Sequence, residues 1–155
     1  MSVSQIHCRV ITNCTSRKSS RGPLLSLSTT DLHQPLDKVI EAWSALLNRA
    51  PRAIQCGELY QGRSFSDARA VAKEMGSSLY VVSAGLGVGK IDEAIPHYNL
   101  TGSEGLGSIA PALSRNKSTS RDWWSLLTGP SGPGKSIRDV LGSSQHTSVY
   151  VALPS

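Results

Sequence analysis

The run LYVVSAGLG, residues 79–87, constrains the fold of this chain more than any other stretch. It is apolar with no polar alternation, the pattern of a strand covered on both faces inside a parallel sheet. IHCRVIT (6–12) is a second strand candidate, rich in β-branched residues and delivering the polar loop NCTSRKSSRGP. TSVYVAL (147–153) reads as a third. Between the first two, PLDKVIEAWSALLNRA sets Leu36, Val39, Ile40, Trp43, Leu46 and Leu47 at helical spacing, with Pro35 suited to the first turn. SFSDARAVAKEMG offers Ser64 or Ser66 as a cap, Asp67 in the first turn and Gly76 just past the end. STSRDWWSLL, with caps available from Ser118 to Ser120, forms another helical region. KSIRDVLG puts Ile137, Val140 and Leu141 on one face and Gly142 at its end. Residues 85–108 read as a long glycine-rich connection. Strands alternating with helices predict an α/β domain of three layers, a mainly parallel sheet with helices on both faces.

The 155 residues suit one domain able to bury a real core. At 39% hydrophobic and 17% charged the chain is globular in composition rather than disordered. The net charge of +5 fits a polyanionic partner and fits a solvated basic surface equally well. Cys8, Cys14 and Cys56 are odd in number and lack C-x-x-C spacing. That disfavours a disulfide framework or structural zinc and points to a reducing, cytoplasmic compartment. No leader pattern opens the chain and no long apolar run crosses it, so no membrane association is expected. No cofactor is expected either. The chain stops two residues after its last strand run, as the amino-terminal part of a longer protein would.

Residues 129–136, GPSGPGKS, match G-x-x-x-x-G-K-[ST] letter by letter. A phosphate loop needs a buried strand before it and free backbone N–H groups within it. Here RDWWSLLT precedes, with helical spacing, and Pro130 and Pro133 remove two donors. No acidic residue ends VYVAL, and the expected structure is a turn with Ser136 capping the next helix. GLGVG (85–89) is likewise not G-x-G-x-x-G, and no acidic residue marks a second strand end.

Ligands of open α/β sheets collect beyond the carboxyl ends of the strands. One such loop holds Asn13, Cys14, Ser16, Arg17 and Lys18, suited to a phosphate or carboxylate or else merely solvated. The other is Ser83-Ala84-Gly85-Leu86-Gly87, where small residues let a ligand approach the backbone or form a tight strand exit. Tyr60, Gly62, Arg63 and Tyr98 lie nearby, the tyrosines able to stack on a base or to pack in the core or at its rim, and Arg63 or Arg69 to bind phosphate. All these loops are expected to meet in one pocket, where Arg17, Lys18, Arg63 and Arg69 would cluster around an anion. His97, beside a proline, reads as a surface residue. Glu58, Asp92 and Glu93 are the carboxylates placed to act as acid or base.

ITNCTSRK, then ELYQGRSFSDARAVA, then LYVVSAGLGVGKIDEAIPHYNLT together resemble a family of small bacterial α/β domains. That family is related to the YaaA peroxide-stress proteins and occurs beside DNA-modification and anti-phage genes. The resemblance covers roughly residues 6–101 and rests on Cys14, Lys18, Leu59, Tyr60, Gly62, Phe65, Arg69, Ser83, Ala84, Gly85, Gly87, Ile95, Pro96 and Tyr98. Gly85-Leu86-Gly87 departs from it, standing where bulkier residues are expected. The resemblance implies a role touching a nucleotide, nucleobase or DNA in a defence or stress pathway, in association with another subunit. YQGRSF is also similar to nucleoside deoxyribosyltransferases, which implies glycosidic-bond chemistry with a nucleophilic carboxylate, Glu58 or Glu93. A non-catalytic module that binds DNA or protein is the alternative.

Overall fold

The computed structural model describes residues 7–15, 18–19, 23–142 and 147–152. Its centre is a four-stranded sheet in the order β4-β3-β1-β6. β1 (His7–Asn13) runs parallel to β3 (Ser78–Ser83) on one side and to β6 (Thr147–Ala152) on the other. Val10 is in register with Leu79 and with Tyr150. β4 (Gly87–Lys90) turns back antiparallel on β3, so the sheet is mostly, not wholly, parallel. Burial alternates along β3: Leu79, Val81 and Ser83 are buried, while Ser78, Tyr80 and Val82 are half-buried. The apolar run is therefore covered unequally on its two faces, unlike the enclosed strand its composition suggests.

The stretch 85–108 is more than a connection. It contains β4 and β5 (Ala94–Ile95), and β5 pairs antiparallel with β2 (Ile54–Gln55) in a second, two-stranded sheet. Neither short strand carries a readable period, because β4 is glycine-rich and β5 has only two residues.

Seven helices occur among the described residues. α1 (Thr29–Leu32) opens on a capping box in which Asp31 N–H donates to Ser28 Oγ. α2 (Leu36–Arg49) buries Val39, Ile40 and Trp43, one helical face as its spacing predicts, and begins directly after Pro35. α3 (Cys56–Leu59) is a single turn. α4 (Arg63–Glu74) starts at Gly62, whose φ of 124° is open to glycine, and not at Ser64 or Ser66. Asp67 consequently falls outside the first turn, and Ser66 Oγ donates back to Gly62 O at 3.1 Å. α5 (Ala110–Arg115) is followed by α6 (Ser120–Thr128), which Thr119 caps with Asp122 reciprocating. α7 (Ile137–Leu141) is capped by Ser136, with Asp139 N–H donating to Ser136 Oγ.

GPSGPGKS thus joins helix α6 to helix α7, with Ser136 as the cap the sequence predicts. Its backbone lies along β4: Val88 N–H donates to Lys135 O at 2.9 Å, and Lys135 Nζ pairs with Glu93 at 3.1 Å. The lysine that would reach phosphates in a phosphate loop is held by a carboxylate. No helix among the described residues is long and apolar enough to cross a membrane.

Candidate functional site at the strand ends

Because β1 and β3 are parallel neighbours, their carboxyl ends leave the sheet side by side. Cys14 N–H donates to Val82 O at 2.8 Å, extending the ladder one residue past β1. The chain then returns so that Lys18 pairs with Tyr60 through the backbone, and Ser19 N–H donates to Leu59 O at 2.7 Å. Tyr98 reaches the same place from beyond β5. Its hydroxyl is hydrogen-bonded to both the Tyr60 hydroxyl and Ser83 Oγ. Gly62 lies against Thr15, whose Oγ1 donates to Gln61 O. The loop after β1, the Tyr60–Gly62 segment, the end of β3 and Tyr98 therefore meet, as the topology predicts.

Lys18 is the electrostatic centre of this cluster. Its Nζ stands 5.4 Å from the centroid of the Tyr98 ring and donates to Leu100 O at 3.4 Å. Burial pushes its pKa below the usual lysine value, and the neighbouring Cys14 works in the opposite direction. Among the described residues no carboxylate lies within ion-pair distance of it. Burial also drives the Tyr60 and Tyr98 phenols upward and pushes the Cys56 thiol up to about 12. These three groups are proton-bound and neutral across the physiological range.

Several expected roles are corrected by the packing. Tyr60 and Tyr98 are 3% and 0% exposed, so neither ring is open to stack on a base. Gly85 does not open the backbone to a ligand, because the space beside its Cα is filled by the Tyr98 ring. Trp123 Nε1 donates to Ala84 O at 2.8 Å and Trp43 Nε1 to Gly85 O at 2.7 Å, so both indoles hold that turn. Gly87 is pressed against the Lys135 backbone. Of the four cations expected to cluster, Arg17 lies outside the described residues, and Arg63 and Arg69 are engaged separately. The Arg63 side chain is 95% exposed and approaches Asp67 at 3.9 Å, while Arg69 Nη1 donates to Gly57 O at 3.3 Å. Ser16 and Arg17 lie outside the described residues. Asn13 ends β1 half-buried. Asp92 and Glu93 are engaged by Lys90 and Lys135, respectively.

Sequence reasoning missed a polar cavity of about 500 Å³ beside the cluster, walled by Gly57, Glu58, Tyr60, Gln61, Arg69 and His97. His97 is 9% exposed, not the surface residue its proline neighbour suggests, and Nε2–H donates to Ser19 O at 2.7 Å. That bond leaves Nδ1 as the acceptor nitrogen of the neutral ring. Glu58, Tyr60, Gln61 and Arg69 all come from ELYQGRSFSDAR, so their closeness in sequence was the available signal; the arrival of His97 was not. Among the described residues no three His, Cys, Asp or Glu side chains form a group able to hold a metal ion. No protein-family model, curated protein or solved structure matches the chain.

Proposed function

We propose that the strand-end site binds an anionic ligand of the nucleotide class, in a domain related to the YaaA-like proteins and serving a defence or stress pathway. The observation that carries this reading is Lys18 at the strand ends, a partly buried ammonium over the Tyr98 ring with no carboxylate among the described residues to balance it. A half-buried cation is unfavourable unless an anion shares its surroundings. Arg69 supplies a second cation at the cavity wall; one N–H goes to Gly57 O, and no carboxylate among the described residues pairs with it. For glycosidic-bond chemistry the carboxylate would be Glu58, which lines the cavity, since Glu93 is held by Lys135. The same reading places the sheet between two helical layers. It is supported by α4 packing on β1 and β3, and by Arg9 Nη1 donating to Val140 O of α7 at 2.9 Å.

The test is titration with nucleotides and short DNA at two salt concentrations. Lys18→Ala and Arg69→Ala should weaken binding, and added salt should weaken it further in the wild type. Unchanged affinity in both variants with no salt response would defeat the proposal. A second reading, a protein-binding module of a defence complex, is favoured by one observation. β6 pairs with β1 alone among the described strands and exposes Val149, Tyr150 and Val151.

A further inference from the structure

The polar cavity has an apolar neighbour. A second cavity of about 640 Å³ is walled by residues that include Pro23, Leu24, Leu25, Leu46, Ala50 and Pro51. Both volumes fall within the about 300–1,000 Å³ range of small-molecule pockets. His97 and Ala53 line both cavities. His97 is thus a partition whose Nε2 is tied to Ser19 O, a wall residue of the polar side.

The partition is rigid. Leu25 N–H donates to His97 O and Asn99 N–H donates to Leu25 O, both at 2.8 Å, so the backbone of the apolar wall is stitched to the segment that carries the histidine. Two prolines stiffen the apolar wall further. Arg49 stands at its rim with Nε donating to Ala45 O at 3.2 Å, where the guanidinium plane can cover one face of a ring. The charged side chains of the polar side are Glu58 and Arg69, and they do not pair with each other. One compartment therefore favours a flat apolar group, and the other offers an anion a guanidinium with no carboxylate partner among the described residues.

We infer that the two cavities form one cleft for a ligand in which an aromatic ring is joined to an anionic group. The ring lies on the leucine and proline side, the anion faces Arg69, and His97 stands at the junction. The inference rests on the nucleotide reading above and adds to it where the base goes. It also replaces the two buried tyrosines as the base-binding surface.

Calorimetric titration with AMP, adenosine and ribose 5-phosphate separates the compartments. The variants are Ala50→Trp, which fills only the apolar side, and Arg69→Gln. AMP should bind at least tenfold more tightly than ribose 5-phosphate. Ala50→Trp should weaken AMP and adenosine tenfold or more and leave ribose 5-phosphate unchanged. Arg69→Gln should weaken both phosphate compounds and spare adenosine. Leu24→Gln, at a residue 37% exposed, repeats the first change without adding bulk or charge and should act in the same direction. Equal affinity for AMP and ribose 5-phosphate overturns the ring compartment and leaves the anion site standing. Binding of neither phosphate compound overturns the nucleotide reading itself. Adenosine alone then decides the ring compartment: binding lost in Ala50→Trp supports it, and no binding ends it.

Discussion

Gly85→Ala tests whether the strand-exit glycine serves packing or ligand approach. A Cβ built at Gly85 lies 2.8 Å from Tyr98 Cδ2, 3.1 Å from Cζ and nearer still to Cε2. Carbon pairs rest at about 3.5–4.0 Å, so the ring or the turn has to move. Neither is free to do so. The ring is fully buried, its hydroxyl is held by Tyr60 and Ser83, and its edge meets Trp43 with centroids 5.9 Å apart. The turn is held by the Trp43 indole on Gly85 O. Overpacking of this kind costs about 1–3 kcal/mol, and losing one buried hydrogen bond adds about 1–3 kcal/mol. The lower entropy of an unfolded chain with alanine returns only about 0.4–1 kcal/mol. The expected loss is therefore about 1–5 kcal/mol. Urea unfolding followed by tryptophan fluorescence measures it. Gly76→Ala is the control, since nothing lies within 4 Å of a Cβ there and only its φ of 59° opposes the change, at about 1–2 kcal/mol. If Gly85→Ala unfolds at or above the urea midpoint of Gly76→Ala, the space at Gly85 is open and the packing argument is wrong.

Lys135→Ala should leave nucleotide affinity unchanged and lower stability by about 1 kcal/mol or less, because it removes one largely exposed ion pair to Glu93; a nucleotide affinity lost in this variant would restore the phosphate-loop reading. Thr12→Val should be neutral or stabilising in the same urea assay, since the Thr12 hydroxyl is buried with no hydrogen-bond partner among the described residues; a clear loss of stability would show that the hydroxyl is used. Folding holds protons on Cys56, Tyr60 and Tyr98 that the unfolded chain releases near the ordinary thiol and phenol values of 9.0 and 10.0. Stability should therefore be full below about pH 9 and fall as pH rises toward the folded-state values, by up to about 1.4 kcal/mol per pH unit per group. Unfolding midpoints flat from pH 8.5 to 10.5 would contradict that burial. At the acid end, the capping hydrogen bonds hold Asp31, Asp122 and Asp139 below 3.8. Their contribution is present above that value and lost as pH falls through the folded-state values, and helicity independent of pH between 5 and 2.5 would refute it.

The larger elements were legible where a period or a cap was written in the residues. The α2 face is spelled by Val39, Ile40 and Trp43, and α7 by Ser136 and Asp139. The start of α4 was misplaced because serine is the usual cap, whereas here Gly62 supplies a backbone conformation and Ser66 turns back to Gly62 O. β2 and β5 have two residues each, too few for alternation, and exist because Ile54 and Ile95 meet across the chain. The site divided in the same way. Parallel strand ends put Cys14 and Ser83 together by topology alone, so their meeting was readable; Tyr98 joins them from beyond β5. Which side chains face a cavity was not, because that depends on packing of residues distant in sequence. Tyr98, whose residue type suits base stacking as well as core packing, is a buried post for Tyr60, Ser83 and Lys18.

The two stretches that most resembled nucleotide loops explain each other. The glycines at 85–89 and at 129–134 are spaced as those of phosphate loops are, and both close approaches are made by the protein itself. Gly85 admits the Tyr98 ring and Gly87 admits the Lys135 backbone. A Cβ at Gly134 would lie 2.7 Å from Leu86 O. The loop after α6 therefore needs small residues because it packs edge-on against the turn between β3 and β4, with Val88 N–H donating to Lys135 O. Glycine spacing records close backbone approach and is silent on whether the approaching group is a phosphate or another loop. Lys135 breaks the tie here, since a cation meant for phosphates would not be paired with Glu93. Lys18 differs in that respect: it is partly buried, has no carboxylate partner among the described residues, and stands where the parallel strands end.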